Sequence, residues 1–333
     1  MKKTVLITGA AGFVGSHLAE RCLQDGYRVI GVDDFSSGLK ENLIDALKSK
    51  RFFLFHCNLT RSKSVSSILS FLKTRRILAI HSVVHLAAEK IPRYGKRLQT
   101  LRVNVLSTFS ALELAKEFHS TFVFASTSDV YGLTPSLPFQ EDSSVVYGPS
   151  EVARWAYGSS KYLGEQLVYA YHEEHGLPAV MLRIFGVYGP RQVKGWKGNA
   201  VSAFFEQAEK KDIYELHGSG SQARSFLYID DLVEALKIVL AISWKNPTVI
   251  NIGSRETISM KKLAKRIHLF MHPKAVFVSK RVSYKSFTGR PYQDIQKKLP
   301  DLHRAWRALR WKPQITLVDG LSQTAAWYKK HGE

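Results

Sequence analysis

The stretch Thr4-Val5-Leu6-Ile7-Thr8-Gly9-Ala10-Ala11-Gly12-Phe13-Val14-Gly15 passes from apolar and β-branched residues through three glycines into a helix-period segment. A strand over Thr4–Ile7 followed at once by a helix over Phe13–Gln24 is the predicted local structure. Three glycines at this spacing arise by chance roughly 0.1 times in a chain of this length. The bare motif is therefore weak, and its place between a strand and a helix gives it weight. Without side chains at Gly9, Gly12 and Gly15 the backbone can approach a pyrophosphate. The free N–H groups and dipole of the helix opened by Phe13 and Val14 favour its charge. The next candidate strand, Arg28–Val32, leads to Asp33. A carboxylate there accepts hydrogen bonds from ribose hydroxyls and repels a 2′-phosphate, so the expected cofactor is NAD and not NADP.

Outward from this motif, short apolar runs alternate with helical patterns, as in parallel βαβ units with right-handed crossovers. Further strands are expected over Phe52–His56, Ser82–His85, Thr121–Ala125, Ala179–Ile184 and Val249–Ile252. Helices are expected over Leu98–Glu117, Trp155–His175, Asp230–Ile242, Ser259–Phe270 and Val318–Tyr328. The fold class is α/β: a Rossmann doubly wound parallel sheet with a smaller, interleaved C-terminal α+β lobe. After Arg183 the alternation gives way to Gly- and Pro-rich punctuation. The expected division assigns residues 1–185, with 228–252 returning, to dinucleotide binding, and residues 186–227 and 253–333 to a substrate lobe.

At 333 residues the chain exceeds the length at which one core stops growing. With 45% hydrophobic and 23% charged residues it falls outside the disordered and fibrous classes. Lys and Arg outnumber Asp and Glu by 48 to 28, a net charge of +20. The bases are scattered instead of forming one arm, and no aromatic-basic RNA signature accompanies them, so neither nucleic acid nor membrane is an expected partner. Two cysteines, Cys22 and Cys57, point to a reduced, cytoplasmic setting. The apolar start is broken by turn-forming glycines, which argues against a targeting segment.

Tyr157-Gly-Ser-Ser-Lys161 places a phenol and an ammonium four residues apart, on one face of a helix. A cation beside the phenol, with the positive nicotinamide, favours the phenolate, so Tyr157 can take a hydroxyl proton while hydride leaves for NAD. The segment Ala125-Ser126-Thr127-Ser128-Asp129 ends a strand whose C-terminal end faces the cofactor in open α/β sheets. A hydroxyl there can share the substrate proton, and Asp129 can serve as acid or base.

Together these residues resemble the extended short-chain dehydrogenase/reductase family, especially its nucleotide-sugar epimerases, dehydratases and decarboxylases. The match runs almost end to end and includes Val84-His85-Leu86-Ala87-Ala88, Arg183 to Arg191, Asp230-Asp231 and Asn251-Ile-Gly253. The resemblance implies a catalytic triad of Thr127, Tyr157 and Lys161, with Ser128 and Asp129 beside it. It implies dinucleotide contacts from Ser37, Gly38, Asn58 and Leu59, and from Leu86, Ala87, Ala88 and Asn104. For the substrate, a UDP-sugar, it implies Arg224 and Arg290 at the diphosphate, with Arg154, Arg191, Asn199 and Lys298 completing the set. No metal is implied.

Within the family, a 4,6-dehydratase carries Asp-Glu after the triad Thr, whereas this chain has Ser128-Asp129. Gly148-Pro149 through Arg154-Trp155-Ala156-Tyr157, with Tyr292-Gln293-Asp294 ahead of Pro300, resembles the UDP-glucuronate decarboxylases. Those carry Ser-Glu at Ser128-Asp129 and Arg at Lys298. A carboxylate one methylene shorter moves by ~1.5 Å, and a misplacement of that size can cost ~100-fold in rate. The first expectation is therefore a 4-epimerase of a UDP-hexose or UDP-hexuronate working through a 4-keto intermediate, with UDP-glucuronate decarboxylation as the alternative. Gly186 stands where epimerases carry Asn, and Ser225 where they carry Asp. A catalytically silent NAD-sensing or nucleic-acid-binding protein is the alternative of another class, opposed by the intact Thr127/Tyr157/Lys161 set. The helices Leu98–Glu117 and Trp155–His175, apolar on more than one face, predict a homodimer.

Overall fold

A computed structural model describes residues 3–90, 96–210, 213–289 and 292–331. The first half alternates as the sequence pattern requires: β1 (Thr4–Thr8), α1 (Phe13–Gln24), β2 (Arg28–Asp33), a short α2 (Ile44–Leu47), β3 (Phe52–His56), α3 (Ser64–Thr74), β4 (Ser82–His85), α4 (Arg97–Glu117), β5 (Thr121–Thr127), α5 (Trp155–His175) and β6 (Ala179–Ile184). Then come β7 (Val187–Tyr188), α6 (Ala200–Glu209), β8 (Tyr214–His217), β9 (Ala223–Ser225), β10 (Leu227–Tyr228), α7 (Ile229–Ala241) and β11 (Thr248–Ile252). The chain ends with β12 (Thr257–Ser259), α8 (Met260–Met271), β13 (Ser279–Val282), α9 (Tyr284–Thr288), β14 (Lys297–Lys298), α10 (His303–Leu309) and α11 (Leu317–His331). The short strands β7, β9, β10 and β14 and the helix α6 were not expected; each strand is two or three residues long, too brief to show a period.

Two compact units emerge. The first comprises Met1–Val130, Ala156–Arg183 and Val233–Ile250; the second comprises Tyr131–Trp155, Ile184–Leu232 and Asn251–Glu333. In the first, a seven-stranded sheet has the order β3-β2-β1-β4-β5-β6-β11, with β3, β2, β1, β4 and β5 parallel. Strand order reverses at the β1/β4 boundary, the topological switch point where such sheets bind ligands. Leu6, Val83, Phe122, Phe124, Leu112 and Met181 lie in a fully buried core between sheet and helices.

The expected division placed residues 131–155 with the sheet, yet they pack in the second unit. Tyr131 stacks on Phe139 at 4.6 Å and donates to Asn251 Oδ1 at 2.7 Å, and the Phe139 amide donates to the Leu299 carbonyl. Asn251 and Leu299 lie more than a hundred residues away in sequence from Tyr131 and Phe139, so no local pattern announces them. The second unit contains a three-stranded sheet, β12-β9-β14, with β9 antiparallel to β12 and parallel to β14. α6 is closed by a capping box in which Asn199 accepts from the Val201 and Ser202 amides.

Candidate active site

In the first unit the glycine turn is as tight as its sequence demands. Gly9 has φ +69°, and a Cβ there would lie 2.9 Å from the Ala87 amide nitrogen. A Cβ on Gly15 would lie 2.1 Å from the Gly9 carbonyl, so α1 can begin this close to β1 only without one. No side chain caps α1, leaving the amides of its first turn to an anion. Asp33 is buried; its Oδ2 accepts from the Ala11 amide at 2.8 Å and its Oδ1 from the Phe35 amide at 2.8 Å. Burial raises its carboxyl above the ordinary value, against the lowering effect of those bonds. Each oxygen retains acceptor capacity for a ribose hydroxyl. A Cβ on Gly38 would press on Ala11 and on Asp33 Oδ1.

Other predicted cofactor residues shape the same end of the sheet. The amides of Leu86 and Ala87 donate to Thr8 Oγ1 at 3.2 and 3.3 Å. Asn104 is buried, accepts from the Glu89 amide, and donates to the Glu89 carbonyl and Ser160 Oγ, tying the segment after β4 to α5. Asn58 accepts from the amide and hydroxyl of Thr60, and Leu59 is buried. Ser37 and Ala88 are exposed.

The catalytic candidates come together within this unit. Thr127 ends β5 and Tyr157 lies in the first turn of α5, with the Thr127 hydroxyl near enough to favour the phenolate. The Asp129 amide donates to Thr127 Oγ1 at 3.2 Å, and the Asp129 carboxylate is near enough to push the phenol upward. Burial is the larger cause of that rise, and the Thr127 hydroxyl works against it. Lys161 is 2% exposed, with Nζ 4.7 Å from the centre of the Phe124 ring. Burial lowers its ammonium from 10.5 to about 7, and Glu165 opposes the fall. Burial and Asp129 thus raise the phenol in the protein alone, which leaves its lowering to the positive nicotinamide that the sequence reading pairs with Lys161. Ser128 is buried beside this group. His85, held by Thr8 at 2.8 Å, is kept well below its ordinary value by burial and by Lys161, so it is neutral.

In the second unit the predicted anion binders converge on a carboxylate the sequence reading did not single out as a site residue. Asp294 Oδ1 accepts from Arg154 Nη1 at 2.8 Å, Arg224 Nη2 at 2.9 Å and the Ile295 amide at 2.9 Å, while Oδ2 accepts from the Tyr284 hydroxyl at 2.5 Å. Burial raises this carboxyl, but the two guanidinium groups and their bonds outweigh it and hold it below the ordinary value. Arg154 also donates to Tyr292 Oη at 2.5 Å and packs over the rings of Tyr292 and Trp155. Lys298 is buried and stands in register with Arg224 on the neighbouring strand. Arg191 is part-buried with φ +65°. Asn199 spends both ends of its amide on the α6 cap and the Val187 carbonyl. Arg290 lies outside the described residues.

The glycine turn, Asp33 and the Thr127/Tyr157/Lys161 group thus fit a dinucleotide. The model of the NAD dependent epimerase/dehydratase family matches residues 5–253. The chain belongs to that family. Over 99% of both chains it is 34% identical to the UDP-N-acetyl-alpha-D-glucosaminuronate decarboxylase of Bacillus cytotoxicus. It is 32% identical to UDP-glucuronic acid decarboxylase 1 of Arabidopsis thaliana, over 98% of this chain and 69% of the relative. The crystal structure of UDP-glucose 4-epimerase from Thermotoga maritima superposes with a TM-score of 0.85 at 26% identity, covering 99% of this chain and 100% of that one. The protein is therefore an enzyme and its cofactor is NAD.

Proposed function

We propose that the protein oxidises carbon 4 of a UDP-hexuronate and releases the carboxylate as CO2. The observation that carries this reading is the likeness, over nearly the whole of both chains, to a decarboxylase of a UDP-linked uronate. It reverses the order set by sequence, where Asp129 and Lys298 ranked 4-epimerisation first. The second unit's chemistry supports it: Arg154 and Arg224 share the buried carboxylate Asp294, and Lys298 is buried in register with Arg224, a cluster of cations suited to a diphosphate and a uronate.

In this reading Tyr157 removes the C4 hydroxyl proton, and Thr127 holds the phenol and the departing proton in line. Lys161 lowers the cost of the phenolate from within the protein. NAD, when bound, supplies the hydride acceptor and a positive charge. A ketone at carbon 4 lies β to the carboxylate carbon, so the C5–carboxylate bond breaks with its electrons delocalised into the ketone. Asp129, beside Tyr157, is placed to manage the proton that replaces CO2, and carbon 4 then takes back the hydride and the Tyr157 proton, so that the product differs from the substrate by CO2 alone.

The test is incubation with UDP-glucuronate and with UDP-N-acetylglucosaminuronate in the presence of NAD, followed by mass spectrometry of the nucleotide sugar. Loss of the mass of CO2 is expected. An isomer of unchanged mass would instead establish 4-epimerisation, the second reading, which the shorter Asp129 and the Lys at 298 favour. If both uronates returned untouched, the uronate assignment would fall and neutral UDP-hexoses would be tried.

We also propose a homodimer formed through α4 and α5. Leu106 and Phe109 on α4 are 39% and 40% exposed, and Leu163 and Tyr169 on α5 are 44% and 37% exposed. One apolar face of each helix is thereby left for a second copy.

A further inference from the structure

The buried polar chemistry of the first unit extends beyond the groups that would touch substrate. Tyr157, Lys161 and Glu165 follow one another at intervals of four along α5, so they form one stripe facing the sheet. Glu165 is 2% exposed and its carboxylate is fully engaged. Its Oε1 accepts from Ser126 Oγ at 2.5 Å and Arg183 Nε at 3.0 Å, and its Oε2 accepts from Arg183 Nη2 at 2.7 Å. Arg183, on β6, is itself 4% exposed. Ser126 immediately precedes Thr127 on β5, so this single carboxylate grips the strand end that presents Thr127. It does so one helical turn from Lys161.

A two-sided Arg–carboxylate fork at this depth is not bought for stability. Such pairs commonly do no better than apolar residues of equal volume, although removing one partner alone costs about 3–5 kcal/mol. We propose that Glu165, locked by Arg183 and Ser126, is a positioning residue for the catalytic group. It fixes the strand end bearing Thr127 and supplies the negative charge that keeps Lys161 cationic beside Tyr157. The groups packed around Lys161 leave that task to Glu165. On β4, His85 is neutral; on β5, Phe124 offers only its ring face; Arg183 on β6 brings positive charge. Among the described residues, the charge that raises Lys161 is that of Glu165.

This inference rests on the reading of Tyr157 and Lys161 as catalytic, and the experiment separates the two. Glu165→Gln keeps an acceptor for Ser126 and removes the charge; Ser126→Ala cuts the strand link and keeps the charge. The Lys161 midpoint is followed by NMR of 13C-lysine-labelled protein, assigned with Lys161→Met, a readout that needs no substrate. In Glu165→Gln the midpoint is expected to fall from about 7 by roughly one unit, as loss of a nearby unit charge implies. Turnover of UDP-glucuronate should fall at least about tenfold in kcat with KM little changed, and its alkaline limb should move to lower pH. In Ser126→Ala the midpoint should hold while kcat falls by a smaller factor. Should Glu165→Gln not fold, Glu165→Asp, which keeps the charge but draws it back by one methylene, about 1.5 Å, is expected to lower the midpoint and kcat in the same direction by a smaller amount. A folded variant whose Lys161 midpoint and kcat match the parent would reduce Glu165 to a structural ion pair. Should Tyr157→Phe keep full turnover, the catalytic reading itself would fall, whatever Glu165 does.

Discussion

The two units build their polar sites by opposite routes. In the first, the reacting groups are neighbours in sequence: Ser126, Thr127 and Asp129 within one strand end, and Tyr157, Lys161 and Glu165 along one helix. In the second, Asp294 gathers Arg154, Arg224 and Tyr284 from segments 10 to 140 residues away. The ion pairs differ as well: Glu165 is forked by one guanidinium, that of Arg183, whereas Asp294 is shared by two, those of Arg154 and Arg224. A site that moves protons can be compact and local, while a site that recognises an extended anionic molecule draws on several chain segments.

Removing the proposed base should separate the units most sharply. Tyr157→Phe is expected to lower kcat by about 10²–10⁴-fold. Affinity for UDP, measured by calorimetry, should stay within a factor of two, because the phenol belongs to the first unit alone. A matching loss of UDP affinity would break the comparison.

Lys161→Met should also abolish turnover while strengthening the fold. The ammonium is lowered from 10.5 to about 7 in the folded chain, so between those values the unfolded chain holds the extra proton. Parent stability therefore rises with pH from about 7 toward 10, and is lost as pH falls back through 7. Lys161→Met should lack that slope and be more stable at pH 7 by a few kcal/mol, read from urea unfolding at several pH values. A parental slope in the variant would mean that the ammonium is better solvated than its burial implies.

In the second unit, Asp294→Asn leaves two guanidinium groups without their shared anion. The expected result is a roughly tenfold rise in KM for the nucleotide sugar and a loss of about 1–3 kcal/mol in stability. NAD affinity should be unchanged. A kcat effect as large as that of Tyr157→Phe would show that the two sites are not chemically distinct.

The smallest effect concerns the first unit's surface. Phe109→Glu, at the exposed face of α4, should convert a dimer to monomer in sedimentation velocity at micromolar concentration, with turnover reduced less than tenfold. A parent protein that is monomeric from the start would remove the dimer proposal.

The sequence by itself determined the doubly wound sheet, because strand and helix periods are local and glycines at 12 and 15 are demanded by contacts with the Gly9 carbonyl within one turn. It also determined Tyr157 and Lys161 as a pair, since a spacing of four on a helix fixes proximity, and Asp33 as a buried strand-end carboxylate. Tertiary structure alone decided that residues 131–155 leave the sheet domain, because their partners, Asn251 and Leu299, are remote in sequence. It alone decided that Arg154 meets Asp294, that Asn199 is spent on a helix cap, and that Arg183 closes on Glu165. Periodicity carries information only over a turn or a strand. Which cation meets which carboxylate depends on the burial of both, which is known only once distant segments have packed.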